Sequence, residues 1–141
     1  EIMPSLVGSE MCIRDSRSMT RVKELTDEGI NVSFGSDDIF DPWNPLGNAK
    51  MRDQVFMGLY TGHMLGYDEI VNSYRFVTTN AARTLHLGND YGIAEGKDAN
   101  FVILDAKDWY DALNYDAPIL RNYRKGKLIA STAPVDKQVF F

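Results

Sequence analysis

Ser36-Asp37-Asp38 ends an apolar run, Ile30 to Phe34, and opens a loop that continues through Asp41-Pro42-Trp43 to Pro45-Leu46-Gly47. Two adjacent carboxylates cost free energy when both are ionised and unpaired, so something has to face them. A carboxylate just past the carboxyl end of a strand stands where open α/β sheets and (β/α)8 barrels carry their ligand chemistry. There it can coordinate a metal, take a proton from bound water, or do both. The same residue types also cap local amides in ordinary turns. Gly35 to Asp38 alone fits such a turn better. Asp41, directly before Pro42, suits a local Asx turn, and Trp43 suits a packing anchor.

Other chemistry is scarce. The two histidines, His63 and His86, fall on predicted helices after the apolar run and read as structural. One cysteine, Cys12, excludes an intrachain disulfide, fits a reducing compartment and leaves no Cys-x-x-Cys zinc pattern. A chain of 141 residues with 44% hydrophobic and 25% charged side chains suits one small globular domain. Its net charge of -5, with acids and bases interspersed, argues against a nucleic-acid surface. No segment approaches the about 20 apolar residues of a membrane span, and no signal-peptide pattern is present. The expected location is cytoplasmic. Gly92 to Ala99 has no Gly-Lys-Ser/Thr ending and is no phosphate loop, and Lys107 to Asp111 reads as surface or β-unit packing.

The elements that must position the acidic loop follow from periodicity. Met19, Val22 and Leu25 lie three apart on a short helix, with Gly29 as its left-handed stop. Ile30–Phe34 is a predicted strand, so helix feeds strand as in the αβ half of a βαβ unit. Pro42, Pro45 and Gly47 make the following stretch a loop. Residues 48–65 form a strong predicted helix with Asn48 as N-cap and Gly66 as exit. Its core face takes Met51, Val55, Leu59 and also Phe56, Tyr60, Met64, so its methionines and tyrosines are expected in the core. Two more helices follow, the second capped by Thr79 or Asn80. After Gly92 the pattern changes to three short strands, 99–105, 120–126 and 127–132, with Gly126 in a tight hairpin and a helical turn or loop near Trp109. A single parallel strand cannot satisfy its own backbone groups, and three short strands make a marginal sheet. Both halves therefore read as pieces of a larger body.

The loop Asp38 to Gly47, with Thr20–Asp38 before it and Met57–Tyr67 after it, resembles the cytosine deaminase branch of the amidohydrolase superfamily. The stretch Thr78 to Ala106 resembles the ending common to that superfamily, and the likeness covers about residues 17–132. It implies the C-terminal fragment of a TIM-type (β/α)8 barrel, its last strand and flanking helices in 17–95, plus part of a small β domain in 96–141. Residues 1–16 are set aside as a non-native or disordered extension, because Ser5–Ser16 resembles translated sequencing-adaptor sequence.

The resemblance also implies roles. Asp37 matches the aspartate that binds a single divalent metal, Fe2+ or Zn2+, and carries a proton from water to the leaving nitrogen. Asp38 matches a carboxylate that holds the heterocycle, and Trp43 an aromatic near the bound ring. Ser36 stands where the branch more often has histidine, which bears on fine substrate preference. The implied reaction is hydrolytic deamination of cytosine to uracil and ammonia, in a homo-oligomeric parent with a small heterocyclic substrate and no nucleic-acid or membrane partner. The family's His-x-His pair, further histidines and proton-transferring glutamate have no counterpart here, so the fragment alone is expected to be inactive. Other cyclic amidines (isoguanine, creatinine, an s-triazine) are alternative substrates. A non-catalytic α/β binding module, with Asp37, Asp38 and Asp41 holding calcium as one version, is the rival of a different class.

Overall fold

A computed structural model describes residues 19–134, so the stretch 1–16 set aside above, with Cys12, lies outside the described residues. The helices are α1 (Val22–Asp27), α2 (Met51–Thr61), α3 (Tyr67–Asn72), α4 (Thr79–Thr84) and α5 (Trp109–Asn114), with a 3-10 turn Ser73–Val77 between α3 and α4. The strands are β1 (Phe101–Leu104), β2 (Ile119–Arg124) and β3 (Lys127–Ser131). They form an antiparallel sheet in the order β1-β2-β3. Lys125 and Gly126, both with positive φ (50° and 74°), make the expected tight hairpin between β2 and β3. Phe101 sits opposite Tyr123 and the two rings stack at 4.8 Å. No helix among the described residues is long and apolar enough to cross a membrane.

The predicted strand Ile30–Phe34 is not one. It runs extended but joins no ladder, because no other strand lies beside it among the described residues. Helices hold it instead. The Phe34 N–H donates to the Phe76 carbonyl (3.0 Å), and the Asn80 side-chain amide donates to the Val32 carbonyl (2.9 Å). Asn31 returns the contact, donating to the Asn80 carbonyl (3.1 Å) and the Thr84 hydroxyl (3.0 Å). Asn80, expected to cap a helix, thus spends its side chain across the fold. Thr78 is the N-cap of α4, but its hydroxyl bonds back to the Tyr74 carbonyl (2.7 Å) and caps nothing.

The core is small: Val22, Val55, Leu59, Met64, Phe76 and Leu113, with Val32, Phe34, Ile70, Val77 and Trp109 against it. On α2 the predicted stripe is half right. Val55, Leu59 and, past the helix end, Met64 are buried, whereas Phe56, Met57 and Tyr60 are 42%, 57% and 56% exposed. The apolar pattern of α2 spans two faces, and the described residues cover one. Trp109 ties α5 to this core: its indole N–H donates to the hydroxyl of fully buried Ser73 (2.8 Å), which donates to the Ile70 carbonyl (2.7 Å). Arg52 makes a second tie, donating to the Asp116 carboxylate and the Ala117 carbonyl.

Helix ends explain both histidines. Four helices end in the same motif, in which a left-handed residue is followed by an N–H that reaches back to the helix. At α1 that residue is Gly29 (φ 75°), as expected, and Ile30 donates to the Leu25 carbonyl (3.0 Å). At α2 it is His63 (φ 53°), with Met64 donating to Leu59 (2.9 Å); at α4 it is His86 (φ 54°), with Leu87 donating to Ala82 (3.0 Å). At α5 it is Asp116 (φ 48°). The α2 helix therefore exits at His63, and Gly66 is instead the N-cap of α3, its N–H bonded to Glu69 (2.8 Å). Asn48 does not cap α2 either: Lys50 is the N-cap, and the Asn48 side chain accepts from the Lys50 N–H (2.9 Å).

Two predictions follow from these ends. A non-glycine residue pays for a left-handed conformation that glycine adopts freely, so His63→Gly should raise stability by roughly 0.5–1 kcal/mol in urea titration. A loss instead would mean that the imidazole makes contacts that outweigh the backbone. Glu69 is held below its ordinary value of 4.5 by its bond from Lys23, then by the Gly66 N–H, against a smaller loss of hydration. Its contribution is complete above pH 4.5 and is lost as pH falls through the lowered value. Glu69→Gln keeps the cap and should flatten that part of the acid-side fall in the urea midpoint.

Candidate active site

The acidic loop hangs from the end of the extended segment. Phe34 fixes that end: its ring stacks on Phe76 at 4.6 Å and lies against Gly58 of α2, where a Cβ would come within 2.5 Å of it. Three residues later the chain reaches Asp37 in a left-handed conformation (φ 55°), which aspartate tolerates better than most side chains. Asp37 is exposed, and its carboxylate has no hydrogen bond among the described residues. The Ser36 hydroxyl only approaches the Asp37 carbonyl, at 3.5 Å.

Beyond it the loop closes on itself. The Asp41 carboxylate accepts from the N–H groups of Trp43 (2.9 Å) and Asn44 (2.7 Å), which is the Asx turn expected before Pro42. The Asn44 side-chain amide donates to the Asp38 carbonyl (3.0 Å) and reaches the Ser36 carbonyl at 3.5 Å. Gly47 donates to the Asn44 carbonyl (3.0 Å) and accepts from Phe40 (3.1 Å). The sequence marks Gly47 only as a residue that makes this stretch a loop, and does not single out Asn44. Their role depends on which carbonyls the folded loop brings to them, and only the Asn-Pro-Leu-Gly turn composition hinted at it.

Asp38 is half-buried. Loss of hydration, first, raises its carboxyl above the ordinary 3.8, followed by the negative charges of Asp37 and Asp41 and a side-chain hydrogen bond with Asp41. A cation or an N–H donor in front of it would act the opposite way. Trp43 is 67% exposed, and its N–H is held in the Asx turn. Two open cavities flank the extended segment. One of about 690 Å³ is lined by residues including Phe34, Asn44, Asp53 and Gly58, the other of about 300 Å³ by residues including Lys23, Asn31 and Arg75. Neither is lined by Asp37, Asp38 or Trp43. All three residues lie on this one loop, Asp37 and Trp43 exposed and Asp38 half-buried.

Among the described residues no three histidine, cysteine, aspartate or glutamate side chains converge to hold a metal. Asp37, Asp38 and Asp41 do not make the calcium site considered above, and Asp41 already serves the turn. The two histidines stand at helix ends and complete no ligand set. A divalent centre needs about three protein ligands, so the described residues do not fit one by themselves; Asp37 offers a single carboxylate.

The comparisons with known proteins agree with the loop's composition. The model of an amidohydrolase family matches residues 7–130, and the chain belongs to that family. The matched range takes in residues 7–16 of the stretch set aside above. A solved 5-methylcytosine deaminase from Klebsiella pneumoniae with phosphonocytosine is 45% identical over 86% of this chain and 30% of its own, with a TM-score of 0.81. The same enzyme with 5-fluorocytosine superposes over 93% of this chain and 32% of its own, at 42% identity and a TM-score of 0.83. The N-isopropylammelide isopropyl amidohydrolase of Pseudomonas sp. (strain ADP) is 27% identical over 84% of this chain and 29% of its own length. The chain thus spans about a third of the relatives it matches.

The loop closure gives a prediction. A Cβ at Gly47 would lie 2.4 Å from the Asp38 carbonyl and 2.6 Å from the Asn44 amide. Gly47→Ala should cost about 1–3 kcal/mol and speed amide hydrogen exchange across 36–47. Unchanged exchange there would show that the loop yields elsewhere.

Proposed function

We propose that this chain is the C-terminal part of a metal-dependent hydrolase acting on carbon–nitrogen bonds, with deamination of cytosine or a close nucleobase as its reaction. In this reading residues 17–95 supply the last strand and flanking helices of a (β/α)8 barrel, and 96–141 part of a small β domain. The observation that carries it is the exposed carboxylate of Asp37, at the carboxyl end of an extended segment, with neither a hydrogen bond to that carboxylate nor a strand beside the segment among the described residues. A structural turn would have bonded that carboxylate inward, as it does Asp41. The 42–45% identity to a 5-methylcytosine deaminase favours the nucleobase.

When bound, a divalent ion (Fe2+ or Zn2+ suits such a site) supplies Lewis acidity and an acidified water at neutral pH. Its remaining ligands would come from outside the described residues. Asp37 offers one ligand oxygen and, with its other lone pairs, a station for a proton passing from water to the leaving nitrogen. Asp38, when ionised, accepts N–H donors of the ring, and its raised carboxyl makes it sensitive to what faces it. Trp43 offers a flat apolar wall for a heterocycle. The Pseudomonas relative favours a second reading, release of an amine from an s-triazine, at lower identity.

In the protein extended to the length of its relatives, Asp37→Ala should lose about one equivalent of metal and lower ammonia release from cytosine by roughly 10²–10⁴-fold. Asp38→Ala should keep its metal and change the preference among cyclic amidines. Isopropylamine release from N-isopropylammelide, without ammonia from cytosine, would select the second reading. Metal and turnover both intact in Asp37→Ala would remove the assignment.

A further inference from the structure

We propose that the cavity of about 300 Å³ at the amino end of the extended segment binds a small organic anion, whose phosphate or carboxylate group is held by Arg75 and Arg83. The proposal is independent of the reading of Asp37, which stands past the other end of that segment and does not line this cavity. Five charged side chains line it: Lys23, Asp27, Glu69, Arg75 and Arg83. Three cations thus face two anions, in a chain whose net charge is -5. Lys23 answers both acids. Its hydrogen bond to Glu69, and then the Glu69 charge, raise the ammonium above its ordinary 10.5, and the Asp27 charge adds to this. Neither arginine side chain has a hydrogen bond or ion pair among the described residues.

The other side-chain donors in the cavity are engaged. The Thr26 hydroxyl donates to the Val22 carbonyl (2.8 Å) and the Asn72 amide to the Asp68 carbonyl (2.8 Å). Asn31 and Asn80 spend theirs holding the segment, as described above. That leaves the two guanidinium groups, each a planar fork of N–H donors that matches the oxygens of a carboxylate or phosphate. Both arginines are exposed, so an anion reaches them from solvent. The cavity is larger than a bare anion needs, at the lower end of the about 300–1,000 Å³ of small-molecule sites. Buried Met64 and Phe76 give it an apolar wall, which suits a carbon body behind the anionic group. Its position matters for the fold. Arg75 adjoins Phe76, which holds Phe34, and Arg83 shares α4 with Asn80, which holds Val32. An anion gripped by both arginines links the two elements that hold the segment.

The test titrates inorganic phosphate and, separately, succinate into the protein extended to its relatives' length, by calorimetry at constant ionic strength in chloride. At least one should bind saturably at one equivalent, and the tighter of the two names the anionic group. Arg75→Gln and Arg83→Gln should each weaken that binding about 10–100-fold. Arg121→Gln removes an exposed arginine of β2 instead and should bind as the parent does. No saturable heat from either anion would overturn the proposal, and so would equal weakening in Arg121→Gln, which would mean attraction to charge in general. Should a cavity variant fail to fold, the unsubstituted protein still decides. Its Arg75 and Arg83 side-chain Nε–H resonances should shift with the anion while that of Arg121 stays. Shifts at all three alike, or at neither cavity arginine, would overturn the proposal.

Discussion

The packing of one phenylalanine decides where the acidic loop begins. Phe34 is pressed between the Phe76 ring and the bare backbone of Gly58, and its N–H is tied to the Phe76 carbonyl. An extended segment with no strand beside it among the described residues has little else there to hold its direction, since ladder bonds normally fix both register and tilt. Here an aromatic stack and a few amide bonds from Asn31 and Asn80 substitute for a sheet. Everything at the rim, from Ser36 to Gly47, inherits its position from that anchor.

The unburied apolar surface has the same origin. Phe56, Met57 and Tyr60 project from α2 away from the small core, and Leu128 and Ile129 are exposed on β3. Isolated exposed apolar residues are ordinary, but faces of this extent on a helix and a sheet mark surfaces made to be covered. The chain spans about a third of its relatives' length, and the open side of the Ile30–Gly35 segment lies next to the larger groove. Lone segment, bare helix face and open sheet share one physical cause: elements shaped for neighbours that the described residues do not include.

Chemistry at the rim is divided by hydrogen bonding. Asp41 is consumed by the turn, Asp38 is half-buried and held by its carbonyl, and the Asp37 carboxylate has no hydrogen bond among the described residues. The crowding raises the Asp38 carboxyl through lost hydration and through two like charges. Such a loop is a costly resting place for three anions, and the chain that carries it belongs to the amidohydrolase family.

Periodicity and turn chemistry by themselves determined much of this protein. The three strands, the hairpin at Gly126, the stop at Gly29 and the Asx turn at Asp41 all follow from local residue preferences, and the structure has each of them. The loop from Asp38 to Gly47 and the ending after Thr78 carried the family. Local rules failed where the deciding partner lies far along the chain. Asn80, expected as a cap, bonds the Val32 carbonyl instead, the N-cap position falls to Thr78, Gly66 starts a helix instead of ending one, and His63 and His86 take the left-handed ends that glycine usually fills. Which face of α2 is buried, that the Trp109 indole bonds Ser73, and that the Asn44 amide bonds the Asp38 carbonyl were decided by tertiary structure alone. A hydrogen bond or a packed face is a property of two surfaces, and a sequence pattern describes one of them at a time.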